Sequence, residues 1–504
     1  FSDIHVAFFS GTVYNTACVF WGIRPRRNVF RFVHYNIKEG TAVAASIEQV
    51  NMIEGALLPK VLRFSLPLAA TGVLQLLFNA ADVIVVGKFA GATALAAVGA
   101  TTALINLLVN AFMGISVGVN ILVARYLGCR EDERVRACVH TAFALSLLLG
   151  LVVMAAGLTL STPMLELMKT PKDVLPLSSL YLRIYFLGIP GTIMYNFGAA
   201  LLRAFGDTKR PMLFLTISGI VNACLNLFFV IVCGMSVDGV ATATVISQYI
   251  SLFLVVRCLR RSEGLSHLEL KSIRLDREES LRMIQIGLPA GLQSTLFSIA
   301  NVLVQSSVNS FGASVVAANT AAASIEGFVY TAMNSVFHAA ITFTSQNLGA
   351  GRIDRIKRVL TACLTTVLMI GLPLCLTCFL FGRQLLGIYV SSADATYEDV
   401  IRYGLVRLHR FGSLYFLCGL MEVMCGMVRG LGKTWLPMFV TGVGACLSRI
   451  VWIYTIFQIH HTPEILYWSY PMSWILTLVL HSVCFFVIYR QYERKLAGNT
   501  PAAT

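Results

Sequence analysis

The chain is 504 residues long, 57% hydrophobic and only 13% charged, with a mean hydropathy of +0.74. Soluble domains carry about 25% charged residues, so composition excludes a soluble enzyme or adaptor and indicates an integral membrane protein. The net charge of +14 does not indicate nucleic-acid binding, because Lys and Arg stand in short clusters between apolar runs rather than along one face.

Residues 1–51 contain one short apolar stretch, interrupted by Gly11 and Asn15; a poorly ordered or non-native extension without function is expected there. From Leu62 onward, apolar runs of membrane length recur at 62–87, 95–123, 137–160, 177–202, 211–233, 238–258, 281–308, 315–346, 359–382, 400–428, 435–458 and 465–489. Continuous runs of this kind predict an all-α membrane protein of about twelve helices and exclude a β-barrel, whose strands alternate. The expected divisions are a first lobe at 52–262, a linker at 263–280, a second lobe at 281–490 and a tail at 491–504. Thirteen cysteines fall mostly inside the apolar runs. The close pair Cys375 and Cys378 has no second pair at metal-binding spacing, so the cysteines read as small core residues.

The breaks after spans 2, 4, 6, 8 and 10 hold the basic clusters, among them Arg125 to Arg136, Arg257 to Arg282 and Arg352 to Arg358; the alternate breaks hold only Lys88, Lys169, Lys172 and Arg383. The positive-inside rule therefore predicts both termini in the cytoplasm, and a bacterial plasma membrane is the expected location.

Span 1 carries Asp82 near its end, with Gln75 and Asn79 on the same helical face. A charge at the bilayer centre costs about 2.5 kcal/mol or more on insertion scales, and such residues usually face a polar cavity and carry function. An acid at the headgroup boundary, paired with Lys88, would need no polar stripe extending inward from it. Glu326, His338, Glu422, Arg449 and His481 are the other intramembrane polar residues of note. Glu326, Glu422 and Arg449 are candidates for lining a substrate cavity, and Glu422 is the first choice for meeting a cation. The histidines read as satisfied core residues.

The halves are copies. Leu66-Pro67 matches Leu288-Pro289 at an offset of 289 − 67 = 222, and Leu127-Gly128 matches Leu348-Gly349 at 349 − 128 = 221. RAFGDTKRPM (203–212) matches RGLGKTWLPM (429–438) at 429 − 203 = 226. An even number of helices per half gives both the same topology, related by an axis along the membrane normal with a cavity between them, which is transporter architecture. Pro67 and the GxxxG pairs Gly114–Gly118 and Gly426–Gly430 are expected to supply bending and close helix contact.

These landmarks resemble the multidrug and toxic compound extrusion (MATE) family across essentially all of residues 52–490. They include Glu54 to Pro67, NAADVIVVG at the end of span 1, QNLGAGR from Gln346 to Arg352 and the paired R-x-x-G-x-T-x-x-P elements. The resemblance implies two six-helix bundles in a V and export of amphipathic, often cationic compounds driven by inward H⁺ or Na⁺. It further implies no cofactor, no enzymatic reaction, small organic substrates, no nucleic-acid partner and a monomer in the bilayer. It carries a cation site onto Asp82, Asn222, Asn226 and Thr244, which is also the only place where Na⁺ is expected. The DinF-like branch often has an acid where Asn226 stands, which weakens high-affinity Na⁺ binding because one carboxylate fewer faces the ion. The helix 7 acid of the NorM-like branch has no counterpart in LPAGLQSTLFSIANV, and Glu422 lies about one turn from that branch's helix 10 Asp. The DinF-like branch is therefore the nearer one.

On this reading Asp82 alternates between a protonated, sheltered state and an ionised state open to the cavity. A flippase for lipid-linked or anionic substrates on a related fold is the alternative, which Arg183, Arg407, Arg410 and Arg449 keep open because pyrophosphate needs cations to meet it. A membrane-embedded transferase would need clustered acids, and ATP drive would need GxxxxGK[ST]; neither pattern occurs.

Overall fold

In lipid no water satisfies the backbone, so an apolar run must close its hydrogen bonds within itself as a helix. The computed structural model describes residues 51–168, 170–390 and 397–498; nearly all of the expected extension 1–51 lies outside them. Twelve passes follow one another: α1 (Leu57–Val85, continued by a π turn to Ala90), α2 (Ala92–Cys129), α3 (Asp132–Leu167), α4 (Leu175–Ala204), α5 (Lys209–Leu227, with a π turn to Val232), α6 (Val237–Arg261), α7 (Arg277–Asn309), α8 (Ala313–Gly349) and α9 (Ile353–Leu380). The tenth, α10, is broken into Tyr397–Arg410 and Phe416–Gly430; α11 runs in pieces from Trp435 to Ile459, and α12 covers Pro463–Gly498.

Two of the expected twelve differ from a plain apolar rod. Ten helices are long and apolar enough to cross a membrane alone, or eleven if α10, bent by 42° at its break, counts as one span. The remaining one, α8, has 37 residues and is too polar, holding Asn319, Glu326, Asn334, His338 and Asn347. It packs against α1, α2, α9 and α10, so its polar residues meet protein rather than lipid. Two boundaries also move. α7 starts at Arg277, inside the expected linker, because the Asp276 carboxylate accepts from the amides of Glu278 and Glu279 and caps it. α12 continues past residue 490 into the expected tail.

The duplication is visible in the backbone. Gly91 and Gly312, which precede α2 and α8, have φ of 92° and 90°. Arg130 and Gly351, which end those helices, have φ of 60° and 69°, and Gly206 and Gly432 both have 88°. These left-handed positions recur at 312 − 91 = 221, 351 − 130 = 221 and 432 − 206 = 226.

Each half has its own core. One joins α2 to α6 around Val119, Phe143, Phe186 and Leu201, and the other joins α8 to α12 around Phe343, Cys363, Met424 and Tyr467. Cys375 and Cys378 are buried in the second. The first turns of the two leading helices cross over: Met52, Val61 and Phe64 pack in the second core, and Met283 packs in the first. The lobes meet through glycine. A Cβ at Gly114 would stand 2.1 Å from the Gly291 nitrogen, and one at Gly118 2.3 Å from the Met283 oxygen, so α2 and α7 touch backbone to backbone. Gly426 and Gly430 likewise bring α10 against α8.

Candidate functional site

α1 passes through Pro67 without a break and presents Asp82 to α5. Two turns of α5 carry Asn222 and Asn226 on one face, the i, i+4 spacing that lets both reach the same neighbour. The amide of Asn226 donates to Asp82 Oδ1 and, at 3.3 Å, to Asn222 Oδ1. Asn222 donates at 3.4 Å to the Thr244 hydroxyl of α6, which donates at 3.0 Å to the Val240 carbonyl. Four residues, with successive separations of 144, 4 and 22 positions in sequence, thus form one chain of polar contacts across three helices. Asn222 and Asn226 are buried, and Asp82 is half-buried.

The electrostatics of this cluster are simple. Asp82 has an amide for a partner, not a cation, and Lys88 stays exposed beyond it. The buried Asn226 Oδ1 has no hydrogen-bond partner among the described residues. A lone carboxylate beside an unused carbonyl oxygen can take up a single positive charge, either a proton on the carboxylate or a hard cation held by oxygens. Among the described residues no group of three His, Cys, Asp or Glu side chains is arranged to hold a metal ion.

Gln75 and Asn79 are not part of this chain. Both are exposed, on the stripe of α1 that begins at Gly72, where a Cβ would stand 2.0 Å from Thr331 of α8. The lobes therefore touch at Gly72, and Gln75 and Asn79 follow it on the same stripe of α1. Interlobe hydrogen bonds cluster toward the other end, where the basic residues lie. Thr342 donates to Asn120 at 2.9 Å, Arg125 to the Gly430 carbonyl at 3.4 Å, and Asn347 and Arg355 to the carbonyls of Met52 and Gly55 at 3.1 and 3.0 Å.

The second lobe sorts its charges differently. Glu326 is buried and held by Arg407, with Nη2–Oε2 at 2.5 Å and Nε–Oε1 at 3.0 Å, while Arg407 also donates to Asn319. Arg449 is buried with no carboxylate partner among the described residues: it donates to Ser473 at 3.0 Å and Asn301 at 3.3 Å and lies 4.3 Å from the Tyr470 ring centroid. Arg407 lies 5.6 Å from the same ring centroid. Glu422 is buried, with Arg429 as the cation within electrostatic reach and Tyr330, next to Thr331, also nearby. Arg183 and Arg410 lie apart at exposed positions, the first on Thr162 and the second 3.9 Å from Glu464. His481 is buried against Thr441, and His338 is half-buried on α8.

Sequence reasoning missed the contacts at the closed end. Buried Glu279 accepts from the Tyr126 hydroxyl at 3.1 Å and the Cys138 thiol at 3.5 Å, and Arg282 donates to the same Tyr126. The signal was available: Asp276 followed three residues later by Glu279 is a helix-start pattern, which makes Glu279 a helical residue rather than a linker one.

Residues 67–228 and 289–455 each match the MatE family model, one copy per half, with starts separated by the same 289 − 67 = 222 as the repeat. The probable multidrug resistance protein YoeA of Bacillus subtilis (strain 168) is 28% identical over 433 residues, covering 83% of this chain and 91% of that protein. An FAD transporter of Shewanella oneidensis is 26% identical over 360 residues, 70% of this chain and 78% of that one. A crystal structure of MATE in complex with MaL6 superposes with a TM-score of 0.80 at 21% identity, covering 89% of this chain and 99% of its own.

Proposed function

Since this chain belongs to the MatE family of multidrug and toxic compound extrusion transporters, we propose that it is a secondary active antiporter exporting amphipathic, cationic organic compounds in exchange for H⁺ or Na⁺. The observation that carries this reading is the chain from Asp82 through Asn226 and Asn222 to Thr244. Asp82 takes the incoming cation. Neutralising it removes the charge that Asn226 solvates, and the contacts between α1 and α5 rearrange as the lobes exchange which end is open. The basic end, with both termini, faces the cytoplasm, so the present contacts close the cytoplasmic side. Gln75, Asn79 and Glu422 meet the substrate in the cleft, Glu422 supplying the charge that a cationic compound needs. Glu326 is already neutralised by Arg407 and holds the second lobe together. With no acid in the α7 segment from Leu288 to Val302, the chain is nearer the DinF-like than the NorM-like branch.

The decisive experiment is dye efflux from membrane vesicles under an imposed pH gradient or an imposed sodium gradient. Export under one gradient, abolished by the matching ionophore, identifies the ion; export under neither removes Asp82 from a coupling role.

A second reading, export of anionic compounds, is favoured by Arg449, a buried guanidinium with only neutral partners, and by the FAD transporter among the relatives. Competition of a cationic against an anionic dye for the same vesicles separates the two: the anion must win for this reading to stand.

A further inference from the structure

The segment between α6 and α7 is not a loose tether. Leu268 is buried in the first-lobe core, the Glu269 amide donates at 3.2 Å to His140 Nε2 of α3, and the Asp276 amide reaches the Thr141 hydroxyl at 3.4 Å. His140 is fixed from both sides, because its Nδ1 is 2.8 Å from the Arg136 carbonyl. This docking creates a crevice of about 400 Å³ between the start of α3 and residues 271–274, lined by Glu133, Arg136, His140, Lys271, Ser272 and Arg274.

Its charge is one-sided. Arg136, Lys271 and Arg274 all face it, against the single carboxylate of Glu133, and none of the three cations has an ion pair among the described residues. The nearby Glu269 carboxylate accepts from Ser272 at 2.7 Å. Two arginines and a lysine around a polar pocket match the oxygens of a phosphate group. The flanks distinguish a lipid from a free anion. Leu270 and Leu275, which bracket the cationic stretch, are 48% and 50% exposed, and Leu281 is exposed in the first turns of α7. Exposed leucines beside cations, at the end of a helical bundle, are what the boundary between headgroups and acyl chains favours.

We propose that the crevice between α3 and the interlobe segment binds the phosphate-bearing headgroup of an anionic phospholipid, with Leu270 and Leu275 against its acyl chains. The site ties the linker of the two lobes to the membrane surface.

The test uses the purified full chain and native mass spectrometry with phosphatidylglycerol, phosphatidylcholine or inorganic phosphate as the probe. Three proteins are compared: the parent, Lys271→Gln/Arg274→Gln, and a charge-matched control, Arg260→Gln/Arg261→Gln, in the exposed last turn of α6. A juxtamembrane cation contributes about fivefold in affinity, so the crevice variant should bind phosphatidylglycerol about 25-fold more weakly. The control should change by less than about threefold, and phosphatidylcholine should bind weakly to all three. A fourth protein, Lys271→Arg/Arg274→Lys, which keeps both charges, should retain binding. Equal losses in both double-Gln variants would mean diffuse attraction and overturn the proposal. Inorganic phosphate that binds with the same dependence on Lys271 and Arg274, and displaces the lipid at millimolar concentration, would make the ligand a free anion and also overturn it.

Discussion

Two acids within the spans, Asp82 and Glu326, have opposite partners, and that difference assigns them opposite expectations. Asp82 meets an amide, so its charge remains available; Glu326 meets a guanidinium through paired hydrogen bonds, so its charge is consumed. Asp82→Asn should reduce dye efflux to the level of cells lacking the transporter while membrane expression, read by immunoblot, stays unchanged. Parental efflux in that variant would remove Asp82 from the mechanism. Arg407→Gln should act instead on stability, because it leaves the Glu326 carboxylate buried alone, a loss of about 3–5 kcal/mol. Detergent-solubilised protein should melt at a markedly lower temperature by intrinsic fluorescence, and the double variant Glu326→Gln/Arg407→Gln should recover most of the loss. Asp82 could be singled out in the sequence because an acid inside an apolar run is conspicuous. The Glu326–Arg407 pair could not, because 81 residues separate its members and nothing local in either span points to the other.

At the scale of elements, the contact between α2 and α7 is a backbone-to-backbone seam between the lobes. Gly114 and Gly118 of α2 and Gly287 of α7 leave no room for a Cβ on either side. Gly114→Leu or Gly287→Leu should force the helices apart and weaken the closed end, where Tyr126 and Glu279 also meet. A cysteine pair placed across this end should cross-link less efficiently in either leucine variant than in the parent, whereas the same pair in a Gly99→Leu variant, where a Cβ meets nothing within 4 Å, should cross-link normally. Equal cross-linking in all of them would mean that the seam does not hold the ends together. Helix existence was largely legible from apolar length, and the GxxxG spacing of Gly114 and Gly118 announced a close approach without naming its partner. Two features were hidden for physical reasons. The polarity of α8 makes sense only once neighbouring helices surround it. The break in α10 falls after Arg410, in the stretch Phe411 to Tyr415, with neither proline nor an apolar gap to mark it.

For the whole molecule, duplication was legible because both copies keep the same turn geometry, down to the positive φ of Gly206 and Gly432; which residues bridge the copies was not, since those contacts belong to neither copy alone. With the lobes joined by hydrogen bonds at the basic end, alternating access on the proposed reading requires that joined end to part during the cycle. On the proposed reading, with Asp82 as the one coupling acid, the first-lobe site is limited to one positive charge per cycle. One proton moving inward through about 100 mV releases about 2.3 kcal/mol, enough to concentrate a neutral substrate roughly fortyfold. A monovalent cationic substrate leaving in exchange for that proton moves no net charge, so the membrane potential contributes nothing to its export and only the pH difference drives it. In proteoliposomes holding a pH gradient, efflux of a monovalent cationic dye should therefore be unchanged when valinomycin and potassium clamp the potential at zero or at 100 mV of either sign. Efflux that accelerates when the interior of the substrate compartment is made negative would require a second coupling cation, and Glu422, an acid buried in α10, would be the residue to test for carrying it.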